Sequence, residues 1–193
     1  MGKNVMGEDE VAAQLSRLDA LLRQERDREA KVLQERSARQ KRLNEMQRAL
    51  LKLFQARSRA VGVKTFRPIV EPSQGALADL SKPVKALFDP VEMASFWKQV
   101  GYVQLSLASS AAPSLRPYLG HIVGLLLEAS ERCVVLIFPS LEVASGSLEP
   151  LQGQVARIEA RGPEDLRSQE AAINRALVDG LGLIIKNVEE ERR

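Results

Sequence analysis

The sequence predicts an α+β protein, in which a long N-terminal coiled-coil helix is followed by a small mixed sheet with helices packed on it. Apolar residues recur every seven positions between Val11 and Leu53, and neither Pro nor Gly occurs from Glu8 to Ala60, as expected for one coiled-coil helix. Beyond residue 100, alternating and β-branched apolar runs are mixed with helix-like patterns. We therefore divide the chain into a coiled-coil helix over 1–60, a connector over 61–95 and a small α+β domain over 96–193.

The long helix carries a heptad seam at its a and d positions, which are expected to bind a partner helix. The seam consists of Leu15, Leu18, Leu22, Glu25, Glu29, Val32, Arg36, Arg39, Leu43, Met46, Leu50 and Leu53. Its charged members surround Val32 and would meet like charges in a parallel homodimer. The seam therefore predicts a heterodimer, or an antiparallel pair centred near Val32 that sets acids opposite arginines. A solvated single helix with a basic face is the alternative.

Charge is distributed unevenly between the two parts of the chain. Residues 1–60 hold 14 Lys and Arg against 9 Asp and Glu, whereas residues 61–193 hold 14 against 16. The basic residues of the helix alternate with acids, and an aromatic content of 4% leaves few side chains for base stacking. We therefore expect a protein partner and no nucleic acid.

The sequence indicates a soluble, cytoplasmic protein. The N-terminal segment MGKNVMGEDEVAA has no apolar core typical of a secretion signal, and no apolar run approaches the ~20 residues of a membrane-spanning helix. Cys133 is the single cysteine, so neither a disulfide framework nor a thiolate metal cluster is expected.

The connector is rich in residues that break helices, namely Gly62, Pro68, Pro72, Gly75, Pro83 and Pro90. Its segment TFRPIVEP has enough apolar content to dock against a core. Phe96-Trp97, next to Lys98, is predicted to be a core pair at the domain edge. The alternative is an exposed anchor for a membrane or a partner.

The domain beyond the connector is predicted to run strand, helix, strand, strand, helix. YVQLSLA alternates like a half-buried strand, and CVVLIF, closed by Pro139, is typical of a central strand. Pro113 and Pro117 introduce a buried helix through YLGHIVGLLLEAS, and QVARIEA is a weaker strand. The residues Gly162-Pro163-Glu164-Asp165 begin the last helix. Gly180 and Gly182 lie inside that helix, where we expect another backbone or a sheet to come close.

The residues most often used in catalysis are scarce, and we expect no enzyme activity, cofactor or metal. His121, the single histidine, lies in an apolar run and is interpreted as a satisfied core or interface residue. Cys133 adjoins an apolar strand and is interpreted as a small buried side chain. Gly180-Leu181-Gly182 lies within a predicted helix and lacks the third glycine of a dinucleotide-binding fingerprint. An enzyme with a dimerising helix would need more titratable groups in a pocket than this sequence offers.

Two motifs resemble the UVRAG, Barkor and Beclin group of coiled-coil proteins. The segment YLGHIVGLLLEASERCVVLIFP, residues 118–139, is similar to the place in that group where a Leu-Gly-x-x-Val helix precedes a strand ending near Tyr/Phe-Pro. The segment DGLGLIIKNVEE, residues 179–190, is similar to the group's closing helix. Phe66-Arg67-Pro68-Ile69 resembles the Tyr/Phe-Pro-Ile stretch where the group's coiled coil ends. Beclin-type domains have three strand-and-helix units, whereas about two are predicted here.

This resemblance implies a non-catalytic scaffold subunit of a class III phosphatidylinositol 3-kinase complex, in autophagy and in endosomal or vacuolar sorting. It implies a parallel coiled coil with a Beclin-like partner whose charges match those of the seam, and a location peripheral to endosomal or autophagic membranes. It also implies that Gly180 and Gly182 let the closing helix press onto its sheet. The alternative interpretation of the same parts is a structural adaptor of the kinetochore or tethering type, in which a coiled coil ends in an RWD-like α+β head.

Overall fold

The structure, a computed structural model, describes residues 6–60, 66–76, 87, 99–109, 120–129, 132–142, 148–151 and 153–193. Its elements are helix α1 (Met6–Ala60), strands β1 (Phe66–Ala76), β2 (Gln99–Ser109), β3 (His121–Ala129), β4 (Arg132–Glu142), β5 (Leu148–Pro150) and β6 (Ala156–Ala160), and helices α2 (Pro163–Ser168) and α3 (Glu170–Glu191). The predicted α+β class and the long first helix are confirmed. The predicted strands in YVQLSLA, CVVLIF and QVARIEA correspond to β2, β4 and β6.

The strands form one sheet in which β1, β2, β3 and β4 are neighbours in chain order, and β5 and β6 both pair with β4. Every pairing described is antiparallel, whereas the sequence predicted a mixed sheet. Consecutive strands pair directly, and direct neighbours in a chain pair antiparallel without a crossover helix. Strand β1 occupies 66–76 of the predicted connector, and most of the rest of that connector lies outside the described residues.

The helix predicted in YLGHIVGLLLEAS is wrong, because His121–Ala129 forms strand β3. Its residues are buried on both faces of the sheet. Ile122 and Leu126 belong to one face and Val123 and Leu125 to the other, and all four are 0% exposed. A strand buried on both sides has an apolar residue at almost every position, a pattern that a buried helix shares.

Chain contacts divide the protein into two compact units, Met1–Gln40 and Lys41–Arg193. We call the second unit the head. The division differs from the predicted boundary at residue 60, because residues 41–60 of α1 pack with the sheet. Leu43, Met46, Leu50 and Phe54 are all buried in the same apolar cluster as residues of β2, β3 and β4.

Two glycines in the sheet make room for this part of α1. A Cβ at Gly124 in β3 would lie 2.6 Å from Leu50 Cδ2, and a Cβ at Gly101 in β2 would lie 3.5 Å from Leu43 Cγ. Polar contacts fix the same segment, since Gln47 Nε2 donates a hydrogen bond of 3.0 Å to the carbonyl oxygen of Tyr102. Arg57 Nη2 donates one of 2.9 Å to Glu170 Oε1 at the start of α3.

The predicted final helix is two helices, α2 and α3. Pro163 stands in the first turn of α2 and acids follow it, which suits the positive end of the helix dipole. Helix α3 turns Ile173, Leu177 and Ile184 into the apolar cluster. Its Gly180 lies against β3, where an added Cβ would be 2.8 Å from Ile122 Cδ1. The expected close approach to the sheet is therefore found at Gly180.

We predict that Gly120→Ala destabilises the head, because its Cβ would meet the backbone oxygen of Ser140 at 2.5 Å. Backbone cannot move aside as a side-chain tip can, so the expected loss is about 1–3 kcal/mol. Gly101→Ala is the control, since its Cβ meets the side chains of Leu43 and Gln47 at ordinary distances of 3.5 Å and 3.7 Å. Urea unfolding followed by circular dichroism measures both, and equal midpoints for the two variants would contradict the prediction.

Candidate coiled-coil interface

The first part of α1 exposes a stripe of large apolar side chains. Its members are Val11, Leu15, Leu18, Leu21, Leu22, Val32 and Leu33, of which Leu33 is the most exposed at 70%. Leu15, Leu18, Leu22 and Val32 are members of the predicted seam. Val11 continues the same heptad register at position d, and Leu21 and Leu33 flank the seam at positions g and e. Exposed apolar side chains that share one face of a helix mark an interaction surface more strongly than scattered ones do.

The seam splits into two segments with different surroundings. The N-terminal seam, Leu15 to Arg39, lies in the first compact unit. Its members are exposed from Leu15 to Arg36, and Arg39 is partly buried. The C-terminal seam, Leu43 to Leu53, lies in the head, where Leu43, Met46 and Leu50 are at most 1% exposed and Leu53 is partly buried. The C-terminal seam is thus packed by its own chain, which corrects its assignment to a partner.

Two ion pairs join charged residues of the N-terminal seam to neighbours on their own helix. Glu25 Oε2 lies 3.9 Å from Arg28 Nη1, and Arg39 Nη2 lies 3.6 Å from Glu35 Oε2. Ion pairs between helical neighbours at exposed positions contribute a few tenths of a kcal/mol, so about 0.3–0.5 kcal/mol each at most. A partner helix can therefore compete for Glu25, whose pair with Arg28 is exposed, at little cost.

An open groove runs along the middle of this stripe, where acids and arginines flank apolar side chains. It is lined by Glu25, Arg28, Glu29, Val32, Leu33 and Arg36. Acids lie at its N-terminal end and Arg36 at the other, with Val32 and Leu33 between them. The groove offers an apolar contact framed by charges of opposite sign, which is suited to recognising a helix of complementary charge pattern.

His121 lies in a polar cluster on the sheet, as the sequence predicted for a satisfied histidine. Its Nδ1 is 2.8 Å from Ser106 Oγ and 3.2 Å from Gln104 Nε2. Gln104 Nε2 also donates a hydrogen bond of 2.7 Å to Ser106 Oγ. The three side chains form a closed hydrogen-bonded triangle that satisfies a nearly buried imidazole.

Cys133 is fully buried, as predicted, and forms a small cluster with a buried charge pair. Its strand neighbour Glu128 is 0% exposed, and Glu128 Oε1 lies 3.6 Å from Arg42 Nη1. Burial raises the pKa of the Cys133 thiol to about 12; the Glu128 carboxylate adds to the rise and the Arg42 guanidinium opposes it. A thiol that stays protonated at neutral pH is a poor nucleophile and a poor metal ligand.

The remaining predictions concern Phe96 and Trp97, metal sites and membrane-spanning helices. Phe96 and Trp97 lie outside the described residues. Within the described ranges, His, Cys, Asp and Glu do not gather into a group with the makings of a metal site. Helices α1, α2 and α3 each lack the length or the apolar character needed to cross a bilayer.

Comparison with family models, with curated proteins and with solved structures finds no match for this chain. The resemblance to the UVRAG, Barkor and Beclin group therefore stays a prediction from the motifs alone. One of those motifs has a different structure from the one expected, because residues 121–129 form a strand instead of a helix. The motif at residues 179–190 does lie in a helix, α3.

Sequence reasoning missed the outward face of α3 and the exact division of the seam. The burial of Leu43 and Leu50 had one signal in the sequence, which was the presence of Gly101 and Gly124 in the segments that they cover. Small residues in a strand mark places where another element approaches closely. The sequence alone did not show which element this was.

We predict opposite outcomes for two substitutions at equivalent d positions of the seam. Leu18→Asp should leave unfolding of the head unchanged and weaken pairing, because Leu18 is 52% exposed. Met46→Asp should destabilise the head by several kcal/mol, roughly 3–5, since it buries a carboxylate in an apolar core. Urea unfolding and sedimentation velocity measure the two effects. Equal loss of head stability in both variants would show that the seam is not divided as described.

The Cys133 thiol should also shape the pH dependence of stability. Its pKa is about 12 in the folded chain against an ordinary 9.0, so the folded state holds the proton more tightly. The contribution of the protonated thiol to the free energy of unfolding is fully present below pH 9 and is lost as the pH rises from 9 toward 12. The slope of this loss is about 1.4 kcal/mol per pH unit. Denaturant unfolding of the wild type and Cys133→Ala across that range measures it. The variant should show the shallower decline; parallel curves would count against the raised pKa.

Proposed function

We propose that the chain is a non-catalytic coiled-coil adaptor that pairs with a partner helix through residues 11–36 of α1 and carries a small α+β head. The observation that supports this most directly is the exposed apolar stripe in heptad register from Val11 to Leu33. Such a helix gains stability by covering its stripe, and in the first compact unit no second described element is available to do so.

The division of the seam disfavours an antiparallel pair formed by two copies of this chain. In an antiparallel pair centred near Val32, residues 11–22 of one helix lie beside residues 42–53 of the other. Leu18 would then face Met46, which is 0% exposed in the core of its own chain. A parallel partner avoids this conflict, because it aligns the apolar part of the N-terminal seam with its own apolar part. The burial of Met46 thus disfavours the antiparallel pair of two copies that the charge pattern alone allowed.

The charged members of the N-terminal seam define the chemistry of the partner. In a parallel pair, Glu25 and Glu29 each face the residue at the same level of the partner, and so does Arg36. A second copy of this helix would place acid against acid and arginine against arginine. The best partner therefore has basic residues opposite Glu25 and Glu29, an acid opposite Arg36, and apolar residues elsewhere. We infer a heterodimer.

Two kinds of assembly fit this description, and the head geometry supports the adaptor with an RWD-like head better. In the head, all the described strands precede both helices, α2 and α3, and belong to one antiparallel sheet. The strand-and-helix units expected from the Beclin resemblance would instead alternate along the chain. A coiled coil that ends directly in a small α+β head matches the structural adaptors of kinetochores or tethers.

The second candidate is the scaffold subunit of a class III phosphatidylinositol 3-kinase complex with a Beclin-like partner. The closing-helix motif favours it, since residues 179–190 are helical and Gly180 rests on the sheet at Ile122. In this case the protein would act in the cytoplasm, peripheral to endosomal or autophagic membranes, with Phe96 and Trp97 as the residues to test for membrane contact. Neither candidate requires a cofactor or a nucleic acid.

Partner charge is tested with peptides derived from the chain itself. We predict that a peptide of residues 8–39 carrying Glu25→Lys, Glu29→Lys and Arg36→Glu binds the full-length protein at least about tenfold more tightly than the unchanged peptide, a difference of about 1.4 kcal/mol. The changed peptide replaces three like-charge contacts by three complementary ones. Fluorescence anisotropy measures both affinities, and Leu18→Asp in the protein should abolish either interaction. Equal affinity of the two peptides would contradict the parallel seam.

The two assemblies are separated by the protein's location and its recovered partners. Tagged wild-type protein and Leu18→Asp are expressed in parallel in its own cells. Seam-dependent recovery of lipid-kinase subunits, with endosomal localisation, would support the kinase complex. Localisation at chromosome attachment points, with a different coiled-coil partner, would support the RWD-like adaptor. Identical recovery by both baits, together with a helical and monomeric purified protein, would refute the proposal of a coiled-coil adaptor.

A further inference from the structure

The face of α3 that points away from the core has an ordered pattern of its own. Buried residues Ile173, Leu177, Gly180 and Ile184 define the inner side of the helix. On the opposite side, one exposed line with spacings of three and four residues runs along the helix. Its members are Arg175, Val178, Gly182, Ile185 and Glu189, all exposed. We call this line the outer stripe of α3.

Gly182 lies at the centre of the outer stripe, and no described residue of its own chain explains a glycine there. A Cβ at this position would meet nothing within 4 Å, so the sheet contact that explains Gly180 does not apply. A glycine inside a helix costs about 1 kcal/mol relative to alanine. On either side of it, Val178 is 66% and Ile185 is 57% exposed. A small residue between two exposed apolar ones is suited to close approach of another helix.

The outer stripe is also complementary to itself. On each side of Gly182 an apolar residue is followed by a charged one. These are Val178 and then Arg175 toward the N-terminus, and Ile185 and then Glu189 toward the C-terminus. When a second copy is laid antiparallel across Gly182, Val178 meets Ile185 of the other copy and Arg175 meets Glu189. A parallel copy would instead set arginine against arginine. The pattern therefore fits a contact with two-fold symmetry, in which the same surface serves both molecules.

We propose that the outer stripe of α3 binds the α3 helix of a second copy of this chain, antiparallel, with the two helices crossing at Gly182. The pair between Arg175 and Asp179 on the same helix is 3.8 Å long and exposed, so it yields readily to the intermolecular contact. One pair of short helices buries less surface than a stable dimer needs. The contact is thus weak alone and gains strength when several heads are brought together.

This inference goes beyond the adaptor function. If the N-terminal seam takes a different chain as partner, α3 joins two such heterodimers into an assembly with two copies of each chain. The head would then join copies of the adaptor to one another, while the coiled coil selects the partner chain. The two interactions use separate surfaces and can be disabled one at a time.

The test uses the full-length chain with Leu18→Asp, which removes seam pairing. Sedimentation equilibrium over a wide concentration range should show a weak, reversible dimer. Arg175→Glu and Glu189→Arg should each raise the dissociation constant at least about tenfold, because either change breaks both symmetric pairs. The variant that carries both substitutions should return the dissociation constant to that of the parent chain. Glu190→Arg makes the same charge change off the stripe and should have no effect.

A second variant tests the crossing point. Gly182→Leu adds apolar surface at a position where no described residue lies within 4 Å of the added Cβ, so the fold should be kept, as circular dichroism can verify. It should nevertheless weaken the dimer, because the helices can no longer approach closely. A monomer at every concentration, failure of the double charge variant to restore dimerisation, or stronger dimerisation by Gly182→Leu would each overturn the proposal. None of these outcomes bears on seam pairing, which Leu18→Asp has already removed.

Discussion

The packing of residues 41–60 of α1 onto the sheet is the contact on which the head depends. Leu43, Met46, Leu50 and Phe54 are almost completely excluded from water, and they lie over strands that leave space for them at Gly101 and Gly124. Without this helix segment, the apolar face of the sheet around Gly101 and Gly124 would lose the side chains that cover it. Gln47 and Arg57 add directional contacts at the middle and the end of the segment. The head is therefore not a domain that follows the helix, because the helix is part of its core.

The same heptad pattern serves two purposes along α1. Seven-residue spacing indicates that a helix has an apolar stripe, but it does not indicate which element covers that stripe. In the head the cover is the chain's own sheet, and in the first compact unit the stripe is exposed. Leu18 and Met46 occupy the same heptad position and have the same chemical character, yet one is 52% and the other 0% exposed. This explains why the seam was predicted correctly as a pattern and incorrectly as one continuous partner interface.

Periodicity predicted the elements whose two sides differ. The long helix, strands β2 and β6 and the last helix each have one apolar and one polar side, and the β-branched run of β4 was short enough to indicate a strand. Strand β3 is apolar on both sides. Its sequence therefore shows neither the two-residue period of a half-buried strand nor the 3.6-residue period of an amphipathic helix. Among the candidate sites, the burial of His121 and Cys133 was predictable from their apolar neighbours. Their contacts with Ser106, Gln104, Glu128 and Arg42 were not, since these depend on strand register and on α1 packing.

A helix that is anchored at one end in a folded core begins its free segment with its nucleus already formed. Starting a helix in water requires several residues to be ordered for a single hydrogen bond, whereas adding a residue to an existing helix does not. Residues 41–60 supply that start for residues 6–40, so a binding partner encounters a helix that is already wound and loses less conformational entropy on association. The buried end of α1 thereby lowers the entropic cost of ordering the rest of the same helix when a partner binds it.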